Sequence, residues 1–146
     1  MARHFDLWEA EAVLKDMDRD LRLAMSLRDD LAEVVRGLAD VARHVSLSGG
    51  ALVHHGRLTE ARSRQEALTR RLKEAIEAVQ SHGCLLKDLE AGLIDFPTFF
   101  QGREVYLCWK HGEDSIRYWH EVADGFRGRK PIDQEFLENH RGDSPN

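Results

Sequence analysis

The chain of 146 residues has few cysteines and few prolines, and it contains no long apolar run. Two cysteines, Cys84 and Cys108, cannot build a disulfide framework or a four-cysteine zinc site, so we expect two reduced, buried thiols. No stretch approaches the ~18 apolar residues of a membrane span. The first six residues also lack the apolar segment of a secretion signal. We therefore expect a cytoplasmic protein with no membrane contact.

The signatures of several large enzyme classes are also missing. The sequence contains no HExxH, CxxC, Walker loop, GxSxG elbow or dinucleotide fingerprint. Its 21 basic and 26 acidic residues give a net charge of -5, and 42% of the residues are hydrophobic. This balance excludes a disordered chain and leaves enough apolar material for one core.

Two stretches repeat apolar residues at the spacing of a long amphipathic helix. One stripe runs from Leu14 to Val45 and the other from Leu58 to Val79, both in steps of three and four residues. The first helix is predicted to run from about Asp6 to Ser48, and the second from about Leu52 or Leu58 to Ser81. Because the connection is short, we expect an antiparallel, coiled-coil-like hairpin over residues 1–82.

Some apolar residues fall beside the predicted seam of this hairpin. Trp8, Leu23, Val35 and Ile76 need another surface, which the C-terminal segment or a second copy of the hairpin could provide. We expect both, and hence a homodimer that associates through its hairpins.

The repeat of apolar residues at helical spacing stops after Gly83. Connections between the apolar runs are too short for parallel crossovers, so residues 83–132 are predicted to form an antiparallel meander. Residues 133–146 are expected to form a short helix at Asp133–His140 and then disorder from Arg141. The predicted fold class is α+β. The four expected strands are Cys84–Leu89, Leu93–Phe99, Glu104–Lys110 and Ile116–Val122.

The alternation of side chains divides each predicted strand between two faces. In the third strand, Val105, Leu107 and Trp109 are expected to face the core. A fully solvated face seldom displays Trp, Tyr and Cys, so we expect a ligand or another subunit to cover part of the opposite face. Lys87 or Asp88 joins that face according to the register of the first strand. Its other predicted members are Asp95, Glu104, Tyr106, Cys108, Arg117, Trp119 and Glu121.

This polar and aromatic face suggests a ligand site. Arginine side chains grip carboxylates or phosphates through paired hydrogen bonds, so a small anionic ligand is one candidate partner and a protein is another. The same arginines could instead pair with neighbouring carboxylates and stiffen the sheet. The candidate ligand-binding residues are Asp95, Arg103, Glu104, Cys108, Trp119, Glu121 and Arg129.

A divalent metal site is the alternative, built from Asp95, Glu113, His120 and Glu121. His120 and Glu121 are neighbours in a predicted strand, so both reach one ion only if a bulge or turn intervenes. His120 could equally be a hydrogen-bonded histidine at the edge of the core. Cys108 could be a buried thiol or a nucleophile.

Nucleic acid is not an expected partner. The stretch Arg57–Lys73 carries six basic and two acidic residues, which could contact a phosphate backbone. Interleaved aromatic residues and glycine loops are missing, so we interpret the stretch as a solvated helix face.

Several short stretches after Gly83 share a recognisable pattern of residues: Lys87–Pro97, Gly102–Trp109, Gly112-Glu113, Trp119–Glu121 and Gly125–Arg129. Through these stretches, the segment from Gly83 to Ile132 resembles an uncharacterised family of small bacterial proteins, a domain of unknown function with an N-terminal helical part. That resemblance implies the hairpin-plus-sheet organisation, and it implies no activity or catalytic residue. Because two sustained apolar stripes leave flanking apolar residues over, we expect a non-catalytic assembly or ligand-binding module. The alternative is a metal-dependent enzyme or metal-binding protein that acts on a small anionic ligand. No cofactor is firmly implied beyond a possible divalent metal.

Overall fold

A computed structural model describes residues 3–47 and 55–143 of the chain. Helix α1 (Leu7–Leu47) and helix α2 (His55–Gln80) pack against each other. The predicted boundaries at Ser48 and Leu52 lie outside the described residues. Within the described parts of the chain, neither helix is long and apolar enough to cross a membrane.

The C-terminal part forms the predicted antiparallel sheet, and the α+β fold is confirmed. Five strands follow the order β1-β2-β3-β4-β5, and β6 pairs with the free edge of β2. A 3-10 turn (Phe126–Gly128) precedes β5, and helix α3 (Gln134–Asn139) precedes β6. The strands are β1 (Leu85–Asp88), β2 (Leu93–Phe100), β3 (Arg103–Lys110), β4 (Tyr118–Glu121), β5 (Lys130–Pro131) and β6 (His140–Arg141).

Reciprocal hydrogen bonds fix the start of α1. The Glu9 N–H donates to Asp6 Oδ1 at 2.7 Å, and the Asp6 N–H donates to Glu9 Oε1 at 3.0 Å. This capping box pairs two amide groups that the first turn of a helix leaves without partners. The orientation of the hairpin is antiparallel, since His82 Nε2, just beyond the end of α2, lies 2.7 Å from Asp20 Oδ2 of α1.

Helix α1 covers one side of the sheet, which we call the core face. Met17 and Leu21 of α1 are fully buried in one cluster with Ile94, Phe96 and Leu107 of the sheet. Complete burial of such a side chain stabilises the fold by about 1.5–3 kcal/mol. We call the opposite side of the sheet the outer face.

The tail is ordered further than the sequence suggested. Helix α3 lies where it was expected, and its Phe136 is buried in the main core. The expected disorder from Arg141 is wrong as far as Asp143, because Arg141 pairs with Phe99 in the sheet and the His4 N–H donates to Asp143 Oδ2 at 2.8 Å.

Pro97 stands in the middle of β2, where a proline removes one ladder hydrogen bond. Its carbonyl accepts a hydrogen bond from the Phe5 N–H at 2.7 Å, in the gap between the stretches of β2 that pair with β1 and β6. The proline therefore sits on a free edge, and the N-terminal segment crosses the sheet there.

A second, smaller core lies inside the hairpin, where Leu27 of α1 and Leu68 of α2 are buried. Ile76 is partly buried and packs against this core, as does Leu89 from the C-terminal part. We call residues 28–47 and 55–67 the distal half of the hairpin. Trp8, Leu23 and Val35 are 63%, 51% and 45% exposed.

Candidate metal centre on the outer face of the sheet

Strand register brings three chemically active side chains together on the outer face. Asp95 of β2 lies directly opposite Cys108 of β3, and His120 of β4 lies opposite Tyr106 of β3. Residues that face each other across antiparallel strands share one side of the sheet, and so do alternate residues of one strand. Asp95, Cys108 and His120 therefore point the same way. They are only 3%, 1% and 2% exposed.

The predicted face of β4 is wrong. Trp119 lies opposite Leu107 and Glu121 lies opposite Val105, which places both on the core face. The alternation along the strand was predicted correctly, but its two sides were exchanged. Ile116, the first residue of the predicted strand, is buried in the loop before β4 begins, where its N–H donates to Glu11 Oε1 at 2.7 Å. Burial of a loop residue carries no information about the face of the strand that follows.

Both arginines of the predicted ligand site, Arg103 and Arg129, are engaged in ion pairs. Arg103 Nε donates to Glu121 Oε1 at 2.8 Å and its Nη2 to Glu121 Oε2 at 2.5 Å. Arg129 Nη2 contacts both carboxylate oxygens of Glu113, at 2.8 and 2.9 Å. Glu104 lies 2.7 Å from His4 Nε2. The structure therefore agrees with the alternative in which these arginines pair with neighbouring carboxylates.

The predicted candidates thus separate into two groups. Asp95, Cys108 and His120 form the central cluster. Trp119 packs in the core against Phe100 and Phe136, with ring centroids 5.1 and 5.0 Å away. The predicted candidates outside the cluster are Arg103, Glu104, Glu113, Trp119, Glu121 and Arg129.

The hydrogen bonds of His120 determine which of its two ring nitrogens faces the cluster. Nδ1 donates to the main-chain carbonyl of Glu121 at 2.8 Å, and Nε2 lies 3.0 Å from Asp95 Oδ1. A carbonyl oxygen can only accept, so Nδ1 carries a proton and Nε2 is the nitrogen left for the cluster. Glu121 therefore contributes its carbonyl oxygen to the site, while its carboxylate lies on the other face.

Electrostatics favour a cation within the cluster. Burial alone lowers the pKa of His120, but hydrogen bonds to Asp95, Cys108 and the Glu121 carbonyl outweigh it and raise this pKa to about 10. In the metal-free protein at neutral pH, the ring is therefore an imidazolium paired with the Asp95 carboxylate.

The same three residues form a potential metal site. Each offers one ligand atom, and these atoms lie within 4.8 Å of one another. Among the described residues, this is the one group of three such donors close enough to share an ion. An imidazole nitrogen, a thiolate and a carboxylate oxygen form a donor set typical of zinc.

A pocket of about 130 Å³ opens beside the cluster. Lys87 lies in its wall with its Nζ 4.8 Å from the centre of the Tyr106 ring, which resolves the alternative between Lys87 and Asp88 in favour of Lys87. Burial, followed by the nearby Glu104 and Asp95 charges, raises the pKa of Tyr106, so this residue is a neutral phenol. Phe126 closes the pocket from the segment between β4 and β5.

Sequence reasoning found Asp95 and His120 as possible ligands, and it missed Cys108 in that role. The two-residue turn between β2 and β3 could have identified Cys108, because it fixes which residues of the two strands pair. Gln101 and Gly102 have φ angles of 52° and 77°, the positive values that the commonest two-residue hairpin turn requires. Asp95 and Cys108 are equally distant from this turn, so a two-residue hairpin pairs them directly. Both cysteines are free and buried, as expected.

The fold and this cluster define an α+β protein in which a helical hairpin covers a sheet with a buried Asp–Cys–His group on its far side. A family model described as "Uncharacterized conserved protein (DUF2203)" matches residues 3–132, and the chain belongs to this family. The resemblance to an uncharacterised family is thereby confirmed. A search of curated proteins and a search of solved structures each gave no match.

Proposed function

We propose that this protein is a binding module built around a divalent metal ion of the zinc class, held by Asp95, Cys108 and His120. The observation that supports this proposal is the convergence of three different donor atoms, within 4.8 Å of one another, in side chains that are almost completely buried. Asp95 and His120 belong to the metal-ligand set expected from the sequence. Cys108 takes the place of Glu113 and Glu121, the two other carboxylates of that set.

The arrangement of His120 supports an ion in this position. With Nδ1 donating to a main-chain carbonyl, the lone pair of a neutral ring at Nε2 would face the Asp95 carboxylate at 3.0 Å. Two electron pairs at this distance require a cation between them, which is either a proton or a metal. Histidines that bind metals usually donate their other ring N–H to a carbonyl or carboxylate, as this one does.

The chemistry of the donors indicates which metal. Thiolate and imidazole ligands favour zinc and other late transition metals, whereas magnesium and calcium prefer oxygen ligands alone. Three protein ligands also leave one position of a tetrahedral ion for an exogenous group. Among the described residues that line the pocket, Asp95 is the sole carboxylate, and it is committed to the ion. This composition favours binding over catalysis, because the described residues of the pocket offer no second carboxylate to act as a general base beside the ion.

Metal titration of the full chain tests the proposal. Zn²⁺ should raise the melting temperature, because an ion that binds only the folded state stabilises it. Co²⁺ should produce the near-ultraviolet absorption of a cobalt–thiolate bond. A chain that shows neither response would disprove the proposed function.

The two buried thiols provide a matched pair of variants. Cys108→Ser should abolish the cobalt–thiolate band. Cys84→Ser should retain it, since Cys84 lies outside the cluster and bonds to the Val79 carbonyl at 3.3 Å. Equal loss of the band in both variants, with both still folded by circular dichroism, would contradict the assignment of Cys108 as a ligand.

We also propose that two copies associate through their hairpins. On α1, the described residues beyond Leu27 include none that is fully buried, although Leu31 and Val34 continue the seam and remain partly exposed. A four-helix arrangement with a second hairpin would cover this distal half. Sedimentation analysis at tens of micromolar should find a dimer, and a strict monomer would disprove this association.

Nucleic acid remains a partner that we do not expect. The six basic residues of the Arg57–Lys73 stretch are all exposed on α2, while the proposed centre lies on the outer face of the sheet. Retardation of a duplex or single-stranded probe at low salt, lost as salt is added, would overturn this expectation.

A further inference from the structure

We propose that the open position of the metal centre receives the carboxylate of a small organic monoanion whose apolar body lies against Val122 and Phe126. This inference rests on the proposed metal-binding function, and it adds the chemical class of the ligand. Charge, exposed apolar surface and the size of the pocket lead to it independently.

The charges of the centre favour a ligand with one negative charge. A divalent ion with the Asp95 carboxylate and the Cys108 thiolate has no net charge. Lys87 is the cation in the pocket wall, and among the described residues it forms no ion pair; its ammonium lies 4.8 Å from the centre of the Tyr106 ring. One carboxylate bound to the ion would therefore be balanced by one ammonium group, whereas a phosphate dianion would leave an uncompensated charge.

The rim of the pocket exposes apolar side chains to solvent. Val122 and Phe126 are 48% and 38% exposed, and both line this pocket. Leu93 lines it as well and is partly buried. Each methylene of a ligand that is buried against such a surface contributes about 0.8 kcal/mol. The ligand should therefore carry an apolar group next to its carboxylate.

Phe126 is held in place before any ligand binds. Its ring lies 4.6 Å from the Arg129 guanidinium carbon, which also stacks on Tyr118 at 4.0 Å. The guanidinium is fixed in turn by its two contacts with Glu113. An aromatic wall that is already in position costs little entropy when a ligand binds.

The size of the pocket limits the ligand. Its volume of about 130 Å³ is close to the roughly 150 Å³ of an apolar cavity that accommodates benzene. One aromatic ring or a short branched chain fits, and a nucleotide does not. A benzoate-like acid is therefore a suitable probe.

The experiment uses the full chain loaded with Co²⁺, whose visible spectrum reports a change in its ligands. Benzoate should shift this spectrum and should bind at least tenfold more tightly than acetate, which lacks the ring. Benzyl alcohol, which lacks the charge, and inorganic phosphate should both bind more weakly than benzoate. Equal affinity for benzoate and benzyl alcohol, or tighter binding of phosphate, would overturn the inference.

Variants assign the contacts. Lys87→Gln should weaken benzoate binding by about tenfold, the expected size of a lost charge-assisted contact. Phe126→Ala should weaken benzoate binding and leave acetate binding unchanged. The control Lys73→Gln removes an exposed lysine of α2 and should change neither affinity. Unchanged benzoate affinity in both pocket variants would overturn the inference.

The two proposals fail in different ways. Absence of a cobalt–thiolate band would remove the metal centre and the anion site together. A normal band with a spectrum that no acid alters would remove the anion site alone and leave the metal centre in place.

Discussion

Replacing Asp95 by Asn in the metal-free protein should destabilise it strongly at neutral pH and much less at alkaline pH. Asp95 is the counter-ion of His120, whose Nε2 lies 3.0 Å away, and both side chains are buried. Asparagine has nearly the same shape and can still hydrogen-bond to the ring, but it carries no charge. Burial would then lower the pKa of His120, and the ring would become neutral.

The pKa of His120 sets the size of this effect. A group whose pKa rises on folding contributes stability that is complete below its unfolded pKa of about 6.5. That contribution is lost as the pH rises through the folded value of about 10. Each pH unit below the folded pKa is worth about 1.4 kcal/mol, so the charged ring contributes up to about 4 kcal/mol at pH 7 and about 1 kcal/mol at pH 9. Asp95→Asn should remove most of this contribution and cost up to these amounts at the two pH values, because the hydrogen bonds of His120 to Cys108 and to the Glu121 carbonyl remain.

Urea unfolding at pH 7 and pH 9, after treatment with a chelator, measures both values. Burial raises the pKa of the Cys84 thiol to about 12, and this residue is present in both proteins, so it cancels in the comparison. Asp16→Asn is the control, because Asp16 is 65% exposed and lies 3.8 Å from Arg19. Such a surface pair contributes about 1 kcal/mol or less. A cost for Asp95→Asn that is the same at both pH values would refute a charged His120.

Three further predictions concern the centre, a turn and the hairpin. Zn²⁺ binding near pH 7 should release the proton of the His120 imidazolium, and calorimetry in buffers of different ionisation enthalpy counts the protons released; release of none would contradict the proposed ligands. Gly92→Ala should cost at least about 2 kcal/mol more than Gly102→Ala in urea unfolding. Both glycines have positive φ, but a Cβ at Gly92 would lie 2.5 Å from His111 Cβ and one at Gly102 would meet nothing within 4 Å, so equal costs would contradict this packing. Hydrogen exchange should be faster in the distal half of the metal-free hairpin than in β2 and β3, because few buried contacts hold that half closed; uniform protection would refute this.

The helices were predictable because their signals are local. The predicted start of the first helix at Asp6 lies one residue before α1 begins at Leu7, and the Asp6–Glu9 capping box is part of the sequence itself. Helical periodicity also identified the seam between α1 and α2. A helical pattern gives the direction of a side chain but not how far a neighbouring helix extends over it, and Ile76, which was expected beside the seam, packs partly buried against the hairpin core.

The first part of the sheet was also predictable, since it is a hairpin closed by a turn that the sequence shows. Alternation correctly placed Ile94, Phe96 and Leu107 in the core. With the two-residue turn, it also fixes which residues of β2 and β3 face each other. The pairing of Asp95 with Cys108 was therefore contained in the sequence, although it was not recognised as a metal-ligand pair.

The face of the sheet on which His120 lies could not be found in this way, because β3 and β4 are joined by a loop that no short motif describes. Side-chain contacts close that loop: the Lys110 N–H donates to Glu113 Oε1 at 2.7 Å, and Trp109 Nε1 donates to the Glu113 carbonyl at 3.0 Å. Such contacts decide whether the odd-numbered or the even-numbered residues of β4 face the core. One residue more or less in the loop would turn every side chain of β4 to the opposite face of the sheet. The site thus depends on whether this one loop has an odd or an even number of residues. With one residue more or less in the loop, Trp119 would lie on the outer face and His120 would lie in the core. Strand β4 would then supply no third ligand to Asp95 and Cys108.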